Sequence, residues 1–261
     1  MPFASYEKCE VEYSVAGSGK GLVLIHGTGQ SAENTWPDVV KHFSPNRKVV
    51  CPNYSGSGKT KDSGEELTVG FLANQVLAAA DHARLDTFDV VGHSLGTCVA
   101  MYLAAHYPTR VDKVVLLAGF ASTEDARFQL QFRMWKTMVE TNPKLFAEMC
   151  LLTAFSDHFV ARLEDNMAQG IVEEILKTTN YHGVIRQIDL DLRVNVAKEA
   201  EVMPQETLII GCANDFIVPI VHSQKLQKVI KNSKYTELDT GHGGVTENPT
   251  RFIQILDDFL S

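Results

Sequence analysis

The sequence lacks the features that would point to a membrane span, a disulfide framework or a metal centre. No uninterrupted apolar run is long enough to cross a bilayer, and Met1–Lys8 has neither a basic n-region nor an apolar h-region. The five cysteines are odd in number and widely spaced, with no Cys-x-x-Cys pair. We therefore expect free thiols, no metal, no membrane span and a cytoplasmic protein.

Basic stripes and nucleotide-binding loops are also missing. The chain has 24 basic and 32 acidic residues, a net charge of -8, without a stretch of Lys or Arg suited to a phosphate backbone. Gly17-Ser18-Gly19 lacks the third glycine of a dinucleotide fingerprint, and Gly56–Thr60 ends like a P-loop but has Asn53 where the first glycine is required. We expect no nucleic-acid partner and no cofactor.

What the sequence does contain is a regular alternation of strand and helix patterns. At 261 residues it suits one α/β domain, possibly with an insertion. An alternating pattern over Cys9–Val15 predicts a half-exposed edge strand. Short continuous apolar runs predict strands buried on both faces: Leu22–Ile25, Val49–Cys51, Val90–Val91, Val114–Ala118 and Leu208–Ile210. Helical patterns lie between several of them, so we predict an α/β fold with a mostly parallel, doubly wound sheet.

The strand pattern is interrupted in the second half of the chain. From 122 to 200 no buried-strand run occurs, and the sequence is helical and rich in Phe, Met and Leu. Strand patterns resume at Thr207–Gly211 and Lys234–Leu238, before a terminal helix from about Pro249 to Leu260. We predict a core formed by 1–121 and 201–261, with 122–200 as a helical cap inserted into it.

The most informative motif is Gly92-His93-Ser94-Leu95-Gly96, which follows a predicted strand and opens a predicted helix. A serine on a sharp strand-to-helix turn is a nucleophile elbow, and glycines are needed where the neighbouring backbones pass closely. The motif predicts that Ser94 is a catalytic nucleophile.

A serine nucleophile needs a histidine base that is oriented by a carboxylate. Asp215 and His242 follow the last two predicted strands, and functional groups of open α/β sheets gather at the carboxyl ends of strands. Glu124 and Asp125, beyond another strand, are alternatives for the acid. We expect Ser94, Asp215 and His242 to form the triad.

These motifs, in the order Ser94, Asp215, His242, together with Ile25-His26-Gly27-Thr28-Gly29, resemble the α/β-hydrolase fold family. The resemblance extends over the chain except for the cap. It implies an oxyanion hole formed by the backbone N–H groups of Thr28 and Leu95. The chain departs from the usual pattern at Asn53, where relatives commonly have Asp.

The resemblance implies a cofactor-independent serine hydrolase of a small to medium apolar ester, lactone or thioester. We expect four further residues to line the substrate pocket: Gly27, Trp135, Phe155 and Val218. Two other hypotheses remain open, a C–C bond hydrolase of a diketone-type substrate and a small-molecule receptor with a slow triad. Dehalogenase and epoxide hydrolase chemistry is disfavoured because such relatives have Asp at the position of Ser94. His26 and His93 are expected to hold loops by hydrogen bonds.

Overall fold

A computed structural model describes residues 1–261 and contains one eight-stranded sheet. The strands are β1 (Phe3–Tyr6), β2 (Cys9–Ala16), β3 (Lys20–Ile25), β4 (Arg47–Pro52), β5 (Phe88–His93), β6 (Val111–Leu117), β7 (Glu206–Cys212) and β8 (Ser233–Leu238). Their spatial order is β1-β2-β4-β3-β5-β6-β7-β8. The first two pairings in this order, β1 with β2 and β2 with β4, are antiparallel, and the other five are parallel. The predicted mostly parallel sheet is confirmed.

Helices follow most strands. They are α1 (Ala32–Thr35), α2 (Pro37–Phe43), α3 (Val69–His82), α4 (Leu95–His106), α5 (Ala126–Thr141), α6 (Pro143–Ala154), α7 (Asp157–Val160), α8 (Asp165–Thr178), α9 (Tyr181–Asp191), α10 (Ala197–Val202), α11 (Val221–Val229), α12 (Gly244–Glu247) and α13 (Pro249–Leu260). None of them is both long enough and apolar enough to cross a membrane.

Helices cover both faces of the sheet. Successive residues of a strand point to opposite faces, and in the central strands apolar side chains point to both. Side chains of α3 and α4 pack with one face, where they share a large apolar cluster with Val23, Val90 and Val114. The other face packs against α2 and α13, which share a second cluster with Leu24 and Val91. In α13 the buried residues recur at helical spacing, as expected of an amphipathic helix: Phe252, Ile255, Leu256, Phe259 and Leu260.

The predicted position of the first strand is wrong. β2 is not at the edge of the sheet, because β1 pairs with it in an antiparallel hairpin. Glu7, at φ 51°, lies in the turn between the two strands. The burial of Ala4 and Cys9 follows from this pairing. A strand of four residues is too short to give a clear alternating pattern.

Six helices, α5 to α10, lie between β6 and β7, and we call them the helical insertion (residues 126–202). A row of aromatic side chains runs through its first two helices into the core. The row comprises Phe120, Phe128, Phe132, Trp135 and Phe146, with neighbouring ring centroids 5.3 to 5.9 Å apart. The division of the chain at 122 and 200 stays a prediction.

Candidate active site

Ser94 lies on the turn between β5, a central strand, and α4. Its backbone adopts φ 54° and ψ −122°, a conformation that is unfavourable for a residue with a side chain. The turn is held by the Ser94 carbonyl, which accepts hydrogen bonds from the N–H of Thr97 (2.8 Å) and from its hydroxyl (2.6 Å). The strain is therefore built into a rigid strand-to-helix junction.

The two glycines of the motif permit this junction. A Cβ on Gly92 would lie 2.3 Å from the carbonyl oxygen of Gly96, and one on Gly96 would lie 2.3 Å from that of Ile25. Both contacts are with backbone atoms that cannot move aside. Any larger residue at either position would push α4, and with it Ser94, away from the sheet.

His242 and Asp215 come together at the carboxyl ends of β8 and β7. His242 Nδ1–H donates to Asp215 Oδ2 at 2.7 Å. The other carboxylate oxygen, Oδ1, accepts the backbone N–H groups of Ile217 and Val218, both at 2.8 Å. Ser94, Asp215 and His242 are 8%, 8% and 6% exposed. Two backbone N–H groups thus hold one oxygen of the carboxylate, and the other oxygen faces the imidazole.

The two alternative acids lie elsewhere. Asp125 caps α5 by accepting the N–H groups of Arg127 and Phe128, and Glu124 accepts a hydrogen bond from Asn195. Neither makes a hydrogen bond to His242, so Asp215 is the carboxylate that contacts this ring.

His93, the residue before Ser94, links the two sides of the site. Its Nε2–H donates to the His242 carbonyl at 2.9 Å, and its Nδ1 lies 3.0 Å from Gln30 Oε1. Burial, together with the neighbouring His242, lowers the pKa of His93 to about 3. Burial also lowers the pKa of His26 to about 4, and its Nδ1–H donates to the Gly27 carbonyl. Both rings are therefore uncharged near neutral pH.

The loop after β3 (residues 26–30, here the β3 loop) presents the N–H of Thr28 as a free backbone donor. Gly27 N–H donates to Gln30 Oε1 at 2.9 Å, and Gly29 N–H donates to Gln187 Oε1 at 2.8 Å. The N–H of Thr28, between them, has no acceptor within the protein. Leu95 is the first residue of α4, so its N–H has no partner four residues earlier in the helix.

Sequence reasoning missed three residues that hold the loops of the site: Gln187, Asp191 and Glu247. Gln187 and Asp191 contact the β3 loop from α9, and Glu247 accepts the Gly241 N–H beside His242. A signal for the first two was present, since both lie on the buried stripe of α9 with Val184 and Ile188. Polar residues on an apolar stripe indicate specific partners.

Comparison with known proteins shows the family of this chain. Residues 21–249 match the model of a family described as having the alpha/beta hydrolase fold. The chain belongs to the α/β-hydrolase family. A pyrrolizixenacetamide deacetylase from Xenorhabdus hominickii is 40% identical over 96% of this chain and 94% of its own length.

More distant relatives carry the same fold. A monoacylglycerol lipase from Bos taurus is 25% identical over 98% of this chain and 80% of its own length. The crystal structure of MGS-M2, an alpha/beta hydrolase enzyme from a Medee basin deep-sea metagenome library, is 21% identical with a TM-score of 0.90, covering 98% of this chain and 96% of that one. This α/β hydrolase is accordingly a hydrolase in activity as well as in fold.

In this α/β hydrolase the four residues expected to line a pocket lie in different surroundings. Gly27 is next to Ser94, and Phe155 packs against Gly241 and Gly243, which flank His242. Val218 is buried, and its backbone N–H contacts Asp215. Trp135 lies in the aromatic row of the helical insertion, packed on Phe132 and Phe146. Their role in substrate binding stays a prediction.

Two cavities lie away from these residues. One, of about 550 Å³, is lined by eight residues that include Glu65, Arg186 and Arg193. The other, of about 300 Å³, includes Gly29, Glu33 and Lys59. Neither is lined by Ser94, Asp215 or His242, which are each more than nine-tenths buried. No group of three or more His, Cys, Asp or Glu side chains is arranged to hold a metal ion.

The departure at Asn53 has a local reason. Its buried side-chain Oδ1 accepts the Ala32 N–H at 2.8 Å, and its Nδ2 donates to Glu12 and Glu33, each at 3.2 Å. An aspartate here would place a third carboxylate against two others, which is unfavourable. The amide therefore fits this charge environment.

Proposed function

We propose that this α/β hydrolase is a cofactor-independent serine hydrolase that removes a short acyl group from an ester or an amide. The observation that supports this most directly is the 2.7 Å hydrogen bond from His242 to Asp215, at the carboxyl edge of the sheet where Ser94 also lies. The hydrogen bond from His93 Nε2–H to the His242 carbonyl keeps the His242 backbone beside the nucleophile turn. The ring centroids of His93 and His242 are 4.7 Å apart.

The proposed reaction has two stages. Ser94 Oγ attacks the acyl carbonyl carbon while His242 Nε2 takes the hydroxyl proton, and Asp215 stabilises the imidazolium that forms. The oxyanion accepts hydrogen bonds from the N–H groups of Thr28 and Leu95, donors whose loss typically lowers kcat about 100-fold or more. The leaving alcohol or amine takes the proton from His242. Water, deprotonated by His242, then releases the acid and restores Ser94.

A short acyl group suits the buried position of Ser94, Asp215 and His242. The catalytic side chains are more than nine-tenths buried, and Gly27 approaches Ser94 so closely that a Cβ there would lie 2.9 Å from the serine Cβ. The relative from Xenorhabdus hominickii is named a deacetylase, and the first word of its name, pyrrolizixenacetamide, ends in acetamide. We therefore propose acetyl transfer to water, from esters and from N-acetyl amides, as the preferred reaction.

The test is steady-state hydrolysis of p-nitrophenyl esters from acetate to decanoate and of an N-acetyl anilide, by the wild type and by Ser94→Ala. We expect multiple turnovers by the wild type with the highest kcat/KM at acetate, and none above background for the variant. Equal rates for both proteins would contradict the role of Ser94. An optimum at decanoate would contradict the short acyl pocket while leaving the nucleophile intact.

A further inference from the structure

Helix α9 buries two polar side chains that the proposed chemistry does not use. Gln187 and Asp191 are four residues apart and both are fully buried. Residues at this spacing lie on the same face of a helix. Burial of a polar group costs free energy unless it is hydrogen-bonded, so their partners indicate what they do.

Both side chains contact the β3 loop. Gln187 Oε1 accepts the Gly29 N–H at 2.8 Å, and its Nε2 donates to the Ser55 carbonyl (3.1 Å) and to Ser57 Oγ (2.9 Å). Asp191 Oδ2 accepts the Thr28 hydroxyl at 2.7 Å. One helix of the insertion thus fixes the side chain of Thr28 and the next peptide group along the loop.

The Asp191 carboxyl has no cation beside it. Its second oxygen, Oδ1, has no hydrogen-bond partner, and burial raises the pKa of the group to about 8. The titratable groups that face it are Tyr54 and Cys98, and burial raises the pKa of each. The cluster is therefore uncharged near neutral pH, which makes burial of the carboxyl tolerable. Its one side-chain hydrogen bond is the contact with Thr28.

We propose that Gln187 and Asp191 are positioning residues that clamp the β3 loop, so that the Thr28 N–H is held where the oxyanion forms. This rests on the proposed function, in which Thr28 supplies that donor. The clamp gives the helical insertion a direct influence on kcat. A looser loop binds substrate almost as well but stabilises the oxyanion less, because that charge develops only in the transition state.

The first experiment compares kcat and KM, with acetate ester as substrate, for Asp191→Leu, Thr28→Val and their double variant. We expect each single variant to lower kcat by about tenfold or more with KM within about threefold, as for partial loss of an oxyanion donor. The double variant should lose little more than either single one, because both remove the same bond. Asp191→Asn, which can still accept the Thr28 hydroxyl, should recover most of kcat.

Leu190→Ala is the matched control, since Leu190 is a buried apolar residue of the same helix and makes no hydrogen bond to the β3 loop. It should lower the melting temperature with kcat unchanged. If Asp191→Leu and Thr28→Val lower kcat no more than this control does, the clamp is overturned.

Hydrogen exchange separates failure of the clamp from failure of the proposed function. Amides of residues 27–30 should exchange faster in Asp191→Leu and Thr28→Val than in the wild type or Leu190→Ala, whether or not the protein turns over any ester. Unchanged exchange overturns the clamp. Faster exchange together with equal turnover by the wild type and Ser94→Ala keeps the clamp as a loop contact but overturns its link to catalysis.

Discussion

The two loops that flank Ser94 are held in different ways. The β3 loop is fixed by buried side chains of α9, namely Gln187 and Asp191. The loop of residues 239–243 (the His242 loop) is fixed mainly through its backbone. Gly243 N–H donates to the Ala154 carbonyl at 2.6 Å, and Gly241 N–H donates to Glu247 at 2.9 Å.

Both loops are thus held by the helical insertion as well as by the sheet, yet their sensitivity to substitution differs. On the β3 side a single side-chain change removes a contact without altering the backbone. On the His242 side the α6 end touches main-chain atoms, and Glu247 from α12 joins that end to the loop by accepting the N–H groups of Ser156 and Gly241. In the proposed mechanism the β3 side therefore positions the Thr28 N–H and the His242 side positions the base.

On the His242 side, Asp215→Asn should alter the contact with His242 and cause the largest loss of kcat. An asparagine cannot stabilise the imidazolium and favours the wrong tautomer, so we expect kcat to fall by about 10³–10⁴-fold. The measurement is steady-state hydrolysis of p-nitrophenyl acetate. Asp125→Asn, the alternative acid with its N-cap preserved, is the control and should stay within about threefold of the wild type. An equal loss in both variants would contradict the assignment.

On the β3 side, Asp191→Asn should change how the free energy of unfolding depends on pH. The folded-state pKa of Asp191 lies above that of an exposed aspartate, so the stability it contributes is present at low pH and lost as pH rises toward 8. The variant should gain stability relative to the wild type by up to about 4 kcal/mol between pH 5 and pH 8, at about 1.4 kcal/mol per pH unit. Urea unfolding at both pH values measures this difference. A difference independent of pH would show that Asp191 is ionised throughout.

Gly27→Ala should disturb the β3 side at the nucleophile itself. The new Cβ would lie 2.9 Å from Ser94 Cβ and 3.1 Å from Gln30 Oε1. We expect kcat to fall by about 10- to 100-fold, since displacements near 1 Å have effects of this size. Gly170→Ala, in α8 with no atom within 4 Å of the new Cβ, is the control and should leave kcat unchanged. Wild-type activity in Gly27→Ala would show that the loop has room to move.

Glu247→Gln should loosen the His242 side by the smallest amount. Both carboxylate oxygens of Glu247 accept hydrogen bonds from Ser156 or Gly241. A glutamine amide would replace one of these oxygens by an NH₂ group, which is itself a donor. We expect the free energy of unfolding to fall by about 1–2 kcal/mol, with kcat lowered about threefold. Glu173→Gln, an exposed residue of α8, is the control for both measurements. A kcat loss as large as that of Asp215→Asn would show that Glu247 acts on the chemistry itself.

Local patterns were sufficient for the central strands of the sheet and for the chain order of the candidate triad. Short apolar runs bounded by glycine predicted the central strands, and the motif around Ser94 predicted the strained turn. The short β1 was missed because four residues carry too little pattern. The α9 clamp was missed because Thr28 and Asp191 are 163 positions apart, and no local pattern pairs residues across that distance. The sequence shows polar residues on the apolar stripe of α9, which indicates buried hydrogen bonds, but it does not show which residues are their partners.

The proposed mechanism depends on Ser94 being a nucleophile that His242 activates, and covalent labelling is the measurement to make first. A fluorophosphonate probe forms a bond from serine Oγ to phosphorus with loss of fluoride only at an activated serine. Intact mass and peptide mapping should show one adduct, on Ser94, in the wild type and none in Ser94→Ala, with labelling slowed strongly in His242→Asn. Labelling of another residue, or of Ser94 at the same rate without His242, would contradict the account.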